Sequence, residues 1–164
     1  MIGNDIVDLQ LAKRESNWRR KGFLDKIFTE NEQIIIQNSS NQGIMVWNLW
    51  SRKEAAYKIY NRQTGIRSFN PIQFECFNVG LEIGNVVSKN KLYFTKTKVS
   101  KHFIHTISVL KESDFGRIKI LKKSIEIIKE KKIPFYFNEK QNTLFPISKS
   151  HHGSFEKIVS LDYA

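Results

Sequence analysis

Apolar residues recur at helical spacing through the first third of this chain, and from residue 72 onward they crowd into short runs that suit strands. Residues 5–21 are expected to be helical, with Ile6, Leu9 and Ala12 on one side. A second apolar stretch runs from Phe23 to Ile36. In its middle, Thr29-Glu30-Asn31-Glu32 has the form of a capping box, so a new helix is expected to start near Thr29. Ser39 to Gly43 has loop composition. Residues 44–61 carry the strongest helical pattern: Met45, Leu49, Ala56 and Ile59 can face a core, while Trp50, Lys53, Glu54, Tyr57 and Lys58 share another face. Thr64-Gly65 is expected to end it.

The period then changes. Residues 72–79, 81–87, 91–99 and 102–110 are rich in branched and aromatic side chains and are expected to be strands, with turns at Val79-Gly80 and Lys89-Asn90. Residues 115–132 return to helical spacing through Ile118, Leu121, Ile125 and Ile128, with Pro134 as the stop. Residues 142–161 are expected to be a loop followed by a strand over 156–161. Helices first and strands in the middle, without regular alternation, predict an α+β fold rather than a parallel α/β sheet. No internal repeat is visible at this level.

Composition narrows the function classes. The 164 residues suit one domain, or one domain with a large insertion. No apolar run approaches the length of a membrane span, and the N-terminus lacks a signal-like stretch, so the expected compartment is the cytoplasm. The single cysteine, Cys76, excludes an internal disulfide and a cysteine-rich zinc site. Its apolar surroundings make it a core thiol. The net charge of +11, from 27 basic and 16 acidic side chains, implies an anionic partner: a nucleic acid, a phosphorylated small molecule or an acidic protein.

Two separated motifs carry the candidate chemistry. Gly3-Asn4-Asp5-Ile6-Val7-Asp8 places carboxylates beside a glycine, and Trp50-Ser51-Arg52-Lys53-Glu54-Ala55-Ala56-Tyr57-Lys58 places a glutamate between lysines. Carboxylates able to hold a hard cation, with lysines nearby, are what phosphate-ester chemistry needs. Taken singly, Asp5 could cap a helix, and Lys53, Glu54 and Lys58 could be a solvated face.

In combination, these segments resemble the 4′-phosphopantetheinyl transferase superfamily, especially the small holo-acyl-carrier-protein synthase type. Phe23 to Glu32 is similar to the family's middle segment, and Thr64-Gly65-Ile66 and Phe74-Glu75-Cys76 follow at the family's distance. Pro146-Ile147-Ser148-Lys149-Ser150-His151-His152-Gly153 resembles its Ser-x-Ser-His strand and turn. The resemblance implies a transferase fold with N-terminal helices packed on a mainly antiparallel sheet, in a single domain over 1–164 with an insertion over 79–140. It implies transfer of the phosphopantetheine arm of coenzyme A to a serine of a carrier protein, with Mg2+ on Asp5 and Glu54. Lys58 would hold the leaving phosphate, and Ser148, Ser150 and His151 would contact the adenosine end. His105, in Phe103 to Ser108, is the rival histidine. The second acidic position of the larger enzymes is Val7 here.

The basic stretch Lys13, Arg14, Arg19, Arg20 and Lys21 would meet an acidic acyl carrier protein. The motif set occurs once, so a homo-oligomer, with a trimer favoured, is expected to supply the second wall of the site. Neither a membrane nor a nucleic acid is an expected partner, since aromatics do not interleave with the basic clusters. The alternatives are a catalytically silent relative that binds coenzyme A or a carrier protein, and a basic nucleic-acid-binding module.

Overall fold

The structure, a computed structural model, describes residues 1–130 and 133–161. Two five-stranded antiparallel sheets and four helices make an α+β fold. The first sheet contains β1 (Ile2–Asp8), β2 (Glu75–Phe77), β3 (Ile83–Ser88), β4 (Lys91–Val99) and β5 (Phe103–Val109), ordered in space β1-β5-β4-β3-β2. Between β1 and β2 come α1 (Leu9–Glu15), α2 (Phe23–Ile27), α3 (Glu30–Gln37) and α4 (Gln42–Thr64). The second sheet contains β6 (Ile118–Leu121), β7 (Ile128–Glu130), β8 (Ile133–Asn138), β9 (Thr143–His152) and β10 (Phe155–Leu161), ordered β6-β10-β9-β8-β7.

Strand β1 is the centre of the molecule. All seven of its residues are buried, because α4 packs on one face and the second sheet lies on the other side. A Cβ placed on Gly3 would overlap the Ala55 carbonyl oxygen, so only glycine lets β1 approach the helix this closely. Ala55 is fully buried at the same crossing. Ile2 and Val109 of the first sheet join Val159 and Leu161 of the second in a shared core.

The N-terminal expectation needs correction. Residues 2–8 form a strand, and the helix begins only at Leu9, capped by Asp8, whose Oδ1 accepts from the Gln10 and Leu11 amides at 3.0 and 3.1 Å. Three apolar residues at helical spacing were too few to outweigh pairing of all seven β1 residues with β5. The helix expected over 115–132 is also absent: residues 112–117 form a 3-10 turn, followed by β6 and β7, while 131 and 132 lie outside the described residues. Isoleucines there serve as strand residues, with Ile118 to Leu121 paired along β10. Pro134 sits inside β8, opposite Lys129. The segment expected as a loop from 142 is mostly strand β9.

The capping box at Thr29 and the long helix are as the sequence implies. Thr29 N donates to Glu32 Oε2 at 2.9 Å, and Glu32 N donates to Thr29 Oγ1 at 3.3 Å. The helix α4 ends at Gly65, whose φ of 73° suits glycine. Of Lys53, Glu54 and Lys58, which taken singly could have formed a solvated face, Lys53 is buried. Lys53 and Glu32 are both fully buried, paired at 2.7 Å. Lys53 also donates to the Pro71 carbonyl at 2.9 Å, and Glu32 Oε1 accepts from the Cys76 amide at 2.7 Å. This network joins α3, α4 and β2. Breaking a buried pair from one side leaves an uncompensated charge and costs roughly 3–5 kcal/mol. We therefore expect Lys53→Ala to lose stability on that scale in urea unfolding, whereas Glu32→Gln/Lys53→Met should recover more than half of the loss. Equal stability of Lys53→Ala and wild type would contradict the structural role.

Candidate active site

Asp5 and Glu54 come together through the β1–α4 crossing. Asp5 lies on the β1 face turned to the helix, two residues after Gly3, and Glu54 precedes Ala55 on α4. Both line a cavity of about 500 Å3 together with Lys58. Lys58 Nζ stands 3.7 Å from Asp5 Oδ1 and donates to the Asn4 carbonyl at 2.6 Å. The lysine is thus oriented by backbone as well as by charge.

Burial dominates the protonation of the acids. Asp5 is raised above its usual range by desolvation, only partly offset by Lys58 and by hydrogen bonding from Ser150. Glu54 is pushed up to about 7, first by burial and then by the charge of Asp5, with Lys58 opposing. Two carboxyls crowded in this way want a cation.

The opposite wall comes from β9. Lys149, Ser150, His151 and His152 line the same cavity. Strand alternation divides these residues. Ser148 Oγ accepts from Asn4 N at 2.9 Å, Ser150 Oγ from Ile6 N at 3.1 Å, and His152 Nδ1 from Asp8 N at 2.9 Å. Three side chains on one face of β9 therefore satisfy alternate amides on the open edge of β1. Ser150 also donates to Asp5 Oδ1 at 3.1 Å. Ser148 and Ser150 are buried in this seam, whereas Lys149 and His151 point outward and are exposed. The apolar end of the cavity is built by Phe23, Ile27, Trp47 and Trp50.

A second cavity of about 600 Å3 adjoins the first, with Lys58 and Lys149 lining both. Arg62, Arg67, Tyr57 and Asn61 give it a cationic, polar lining. Arg62 also donates to the Ile2 and Ile147 carbonyls, bridging α4, β1 and β9.

The other candidates fall outside the cavity. His105 is buried between the sheets, 3.2 Å from Asn4 Nδ2, and is pushed down to about 4 by burial and by Lys157, Lys58 and Lys98. Lys13 and Arg14 end α1, but Arg19, Arg20 and Lys21 lie in the turn beyond it rather than on one continuous helix. Arg19 stacks over Trp18 at 4.1 Å. Asp8 is committed to its cap and to the Ser154 amide at 3.1 Å.

Comparison with known proteins accounts for the arrangement of the first half. Residues 1–115 match the 4′-phosphopantetheinyl transferase superfamily. The chain belongs to that superfamily. It is 33% identical over 91 residues to the holo-[acyl-carrier-protein] synthase of Fusobacterium nucleatum, covering 56% of this chain and 71% of that one. It is 30% identical over 90 residues to the enzyme of the same name from Caldanaerobacter subterraneus, covering 55% and 68%. The Helicobacter pylori holo-[acyl-carrier-protein] synthase, solved in complex with coenzyme A, shares the fold with a TM-score of 0.54 at 15% identity, over 68% of this chain and 100% of that one. The Neisseria meningitidis synthase gives 0.55 at 17%, over 68% and 97%. The superfamily match ends before β6, so it does not reach β9. Among the described residues no helix is long and apolar enough to cross a membrane.

Sequence reasoning missed the seam formed by Ser148, Ser150 and His152, as well as Arg62 and Arg67. The alternation 148, 150, 152 was the available signal for the seam. Arg62 lay one turn beyond Lys58 and Arg67 in the segment after the helix, without a motif to mark them.

The raised Glu54 makes a measurable difference to folding. Between its ordinary 4.5 and about 7 the folded chain keeps a proton that the unfolded chain has released, so stability falls as pH rises through that window. Without metal, Glu54→Gln should be more stable than wild type by about 2 kcal/mol at pH 8, with the difference closing toward pH 5. A pH-independent difference would show that Glu54 is not held protonated by its surroundings.

Proposed function

We propose that this chain transfers the 4′-phosphopantetheine arm of coenzyme A to a serine of an acyl carrier protein, in a reaction supported by magnesium. The observation that carries this is the Asp5–Glu54–Lys58 group in a cavity with an apolar end, which Lys58 and Lys149 share with a second cavity that Arg62 and Arg67 also line. Coenzyme A has the matching polarity: a phosphorylated adenosine, a pyrophosphate in the middle and a mainly uncharged arm. The pyrophosphate lies at Lys58 and Lys149, the adenosine end with its 3′-phosphate lies toward Arg62 and Arg67, and the arm lies along Trp47 and Trp50. His151, exposed beside Lys149, adds an imidazole donor. Ser148 and Ser150 act through β1 rather than on the ligand, since their hydroxyls already serve its amides.

Asp5 and Glu54 fit magnesium. The ion accepts one or two protein carboxylates and completes its shell with water and substrate phosphate, and burial of the two acids together disfavours leaving both charges uncompensated. Among the described residues no group of three or more His, Cys, Asp or Glu side chains could hold a metal ion, so substrate oxygens have to supply the rest. When bound, magnesium neutralises charge on the pyrophosphate oxygens.

The carrier serine oxygen forms a bond to the phosphorus that bears the pantetheine arm. The bond from that phosphorus to the bridging oxygen breaks, and adenosine 3′,5′-bisphosphate leaves. Lys58, fixed by the Asn4 carbonyl, faces the charge that grows on the leaving group. The serine gives its proton to a carboxylate oxygen of Glu54, which lines the cavity beside Lys58. Lys13 and Arg19 line a groove of about 470 Å3 beside Trp18 and Trp47, with Arg14, Arg20 and Lys21 near them in sequence, and an acidic carrier helix docks there. The reaction places the protein in the cytoplasm, where coenzyme A and carrier proteins meet.

Mass spectrometry of an apo-carrier incubated with coenzyme A, magnesium and the protein tests the proposal. The carrier should gain the mass of one phosphopantetheine. Asp5→Ala and Glu54→Ala should each lower transfer at least a hundredfold, and EDTA should abolish it. An unmodified carrier with wild-type protein, across several acidic carriers, would reject the function. Near-normal turnover of either variant at limiting magnesium would reject the metal assignment.

A further inference from the structure

The two sheets have the same plan. Moving each strand of the order β1-β5-β4-β3-β2 five places along the chain gives β6-β10-β9-β8-β7, the order of the second sheet, and every neighbouring pair in both is antiparallel. The difference lies between the first two strands of each. Four helices separate β1 from β2, but only residues 122–127 separate β6 from β7.

The sequence repeats at equivalent places. Strand β4 carries Phe94-Thr95-Lys96-Thr97-Lys98, and β9 carries Ile147-Ser148-Lys149-Ser150-His151. Each is an apolar residue, then hydroxyl, lysine, hydroxyl and a basic side chain. Burial follows the same alternation, with the hydroxyls inside and the basic residues exposed. The following strands, β5 and β10, both begin with phenylalanine. Phe103 and Phe155 touch each other with ring centroids 5.0 Å apart, so the starts of the two strands lie side by side.

We infer that the second half is a helix-less copy of the first sheet, and that it supplies the second wall of the active site within the same chain. The Ser148–Ser150–His152 seam seats this copy on β1, and the outward residues of β9, Lys149 and His151, line the same cavity as Glu54 and Lys58, with Lys149 Nζ held 3.0 Å from Glu156 Oε2. One chain is then complete for catalysis, and the homo-oligomer expected from a single motif set is not required. The addition in this reading is residues 116–161, beyond the superfamily match over residues 1–115. This inference rests on the proposed transferase function.

Subunit complementation tests it. One variant removes the acid, Glu54→Ala. The other, Lys149→Ala/His151→Ala, removes exposed wall residues outside the seam, and Lys149→Glu serves as a second wall variant should the double variant fail to fold. Transfer to an apo-carrier is measured for each alone and for equimolar mixtures refolded together. A wall in the same chain predicts that the wall variant loses at least tenfold in kcat/KM for coenzyme A, and that the mixture stays at the sum of its parts. It also predicts a wild-type specific activity that does not fall on dilution from micromolar to nanomolar. Recovery in the mixture toward a quarter or more of wild-type activity would assign the wall to a neighbouring chain and overturn the inference, as would wall variants with full activity. Inactive wild-type protein would instead reject the transferase function itself.

Discussion

Everything in the site depends on how closely β1 can lie against α4. With no side chain at Gly3 and only a methyl group at Ala55, the strand backbone reaches the helix backbone. That distance brings Asp5 and Glu54 to one cavity and lets Lys58 reach the Asn4 carbonyl. A larger residue at position 3 would push the strand outward and separate the acids. The Gly-x-Asp and Glu-Ala-Ala elements are therefore halves of one packing solution: the small residues make the approach, and the carboxylates use it.

The approach strands polar groups that need partners. With β5 on one side of β1, alternate amides on the other edge face outward, and a buried unpaired amide is costly. Side chains of β9 satisfy three of them, and one, Ser150, is also bonded to Asp5. The same contacts that hold the second sheet in place thus orient an acid of the site. The network around Lys53 and Glu32 has a comparable task on the other side of α4, fixing the helix to α3 and to the loop before β2. Arg52 is a third anchor. Fully buried, it donates to Asn48, Thr95 and the Gly80 and Leu81 carbonyls, all neutral partners, and burial lowers it to about 10.

The parts of this account that sequence showed are those set by local chemistry. The capping box at Thr29, the long helix ended by Gly65 and the strands between 75 and 109 follow from short-range pattern, although the start of the strand expected over 72–79 is a 3-10 turn over Pro71–Gln73. Asp5, Glu54 and Lys58 were legible because their motifs are contiguous. What sequence hid depends on distant partners. Residues 2–8 look like the start of a helix until β5 pairs with them, and 115–130 look helical until β10 does. Lys53 has the spacing of a surface residue, and only Glu32, 21 positions earlier, makes it a core one. The repeat of Thr95-Lys96-Thr97-Lys98 as Ser148-Lys149-Ser150-His151 changes most residues while preserving their chemistry, so it emerges only once the strand orders are compared.

In the proposed reaction Asp5 and Glu54 hold a divalent cation against a coenzyme A bound across the two cavities. Crystals of the protein grown with coenzyme A and manganese in place of magnesium test it most directly. An anomalous difference map should show one strong peak within bonding distance of both carboxylates and of the pyrophosphate, with the adenosine toward Arg62 and Arg67. A manganese peak away from Asp5 and Glu54, or coenzyme A bound outside the cleft between the sheets, would contradict the account.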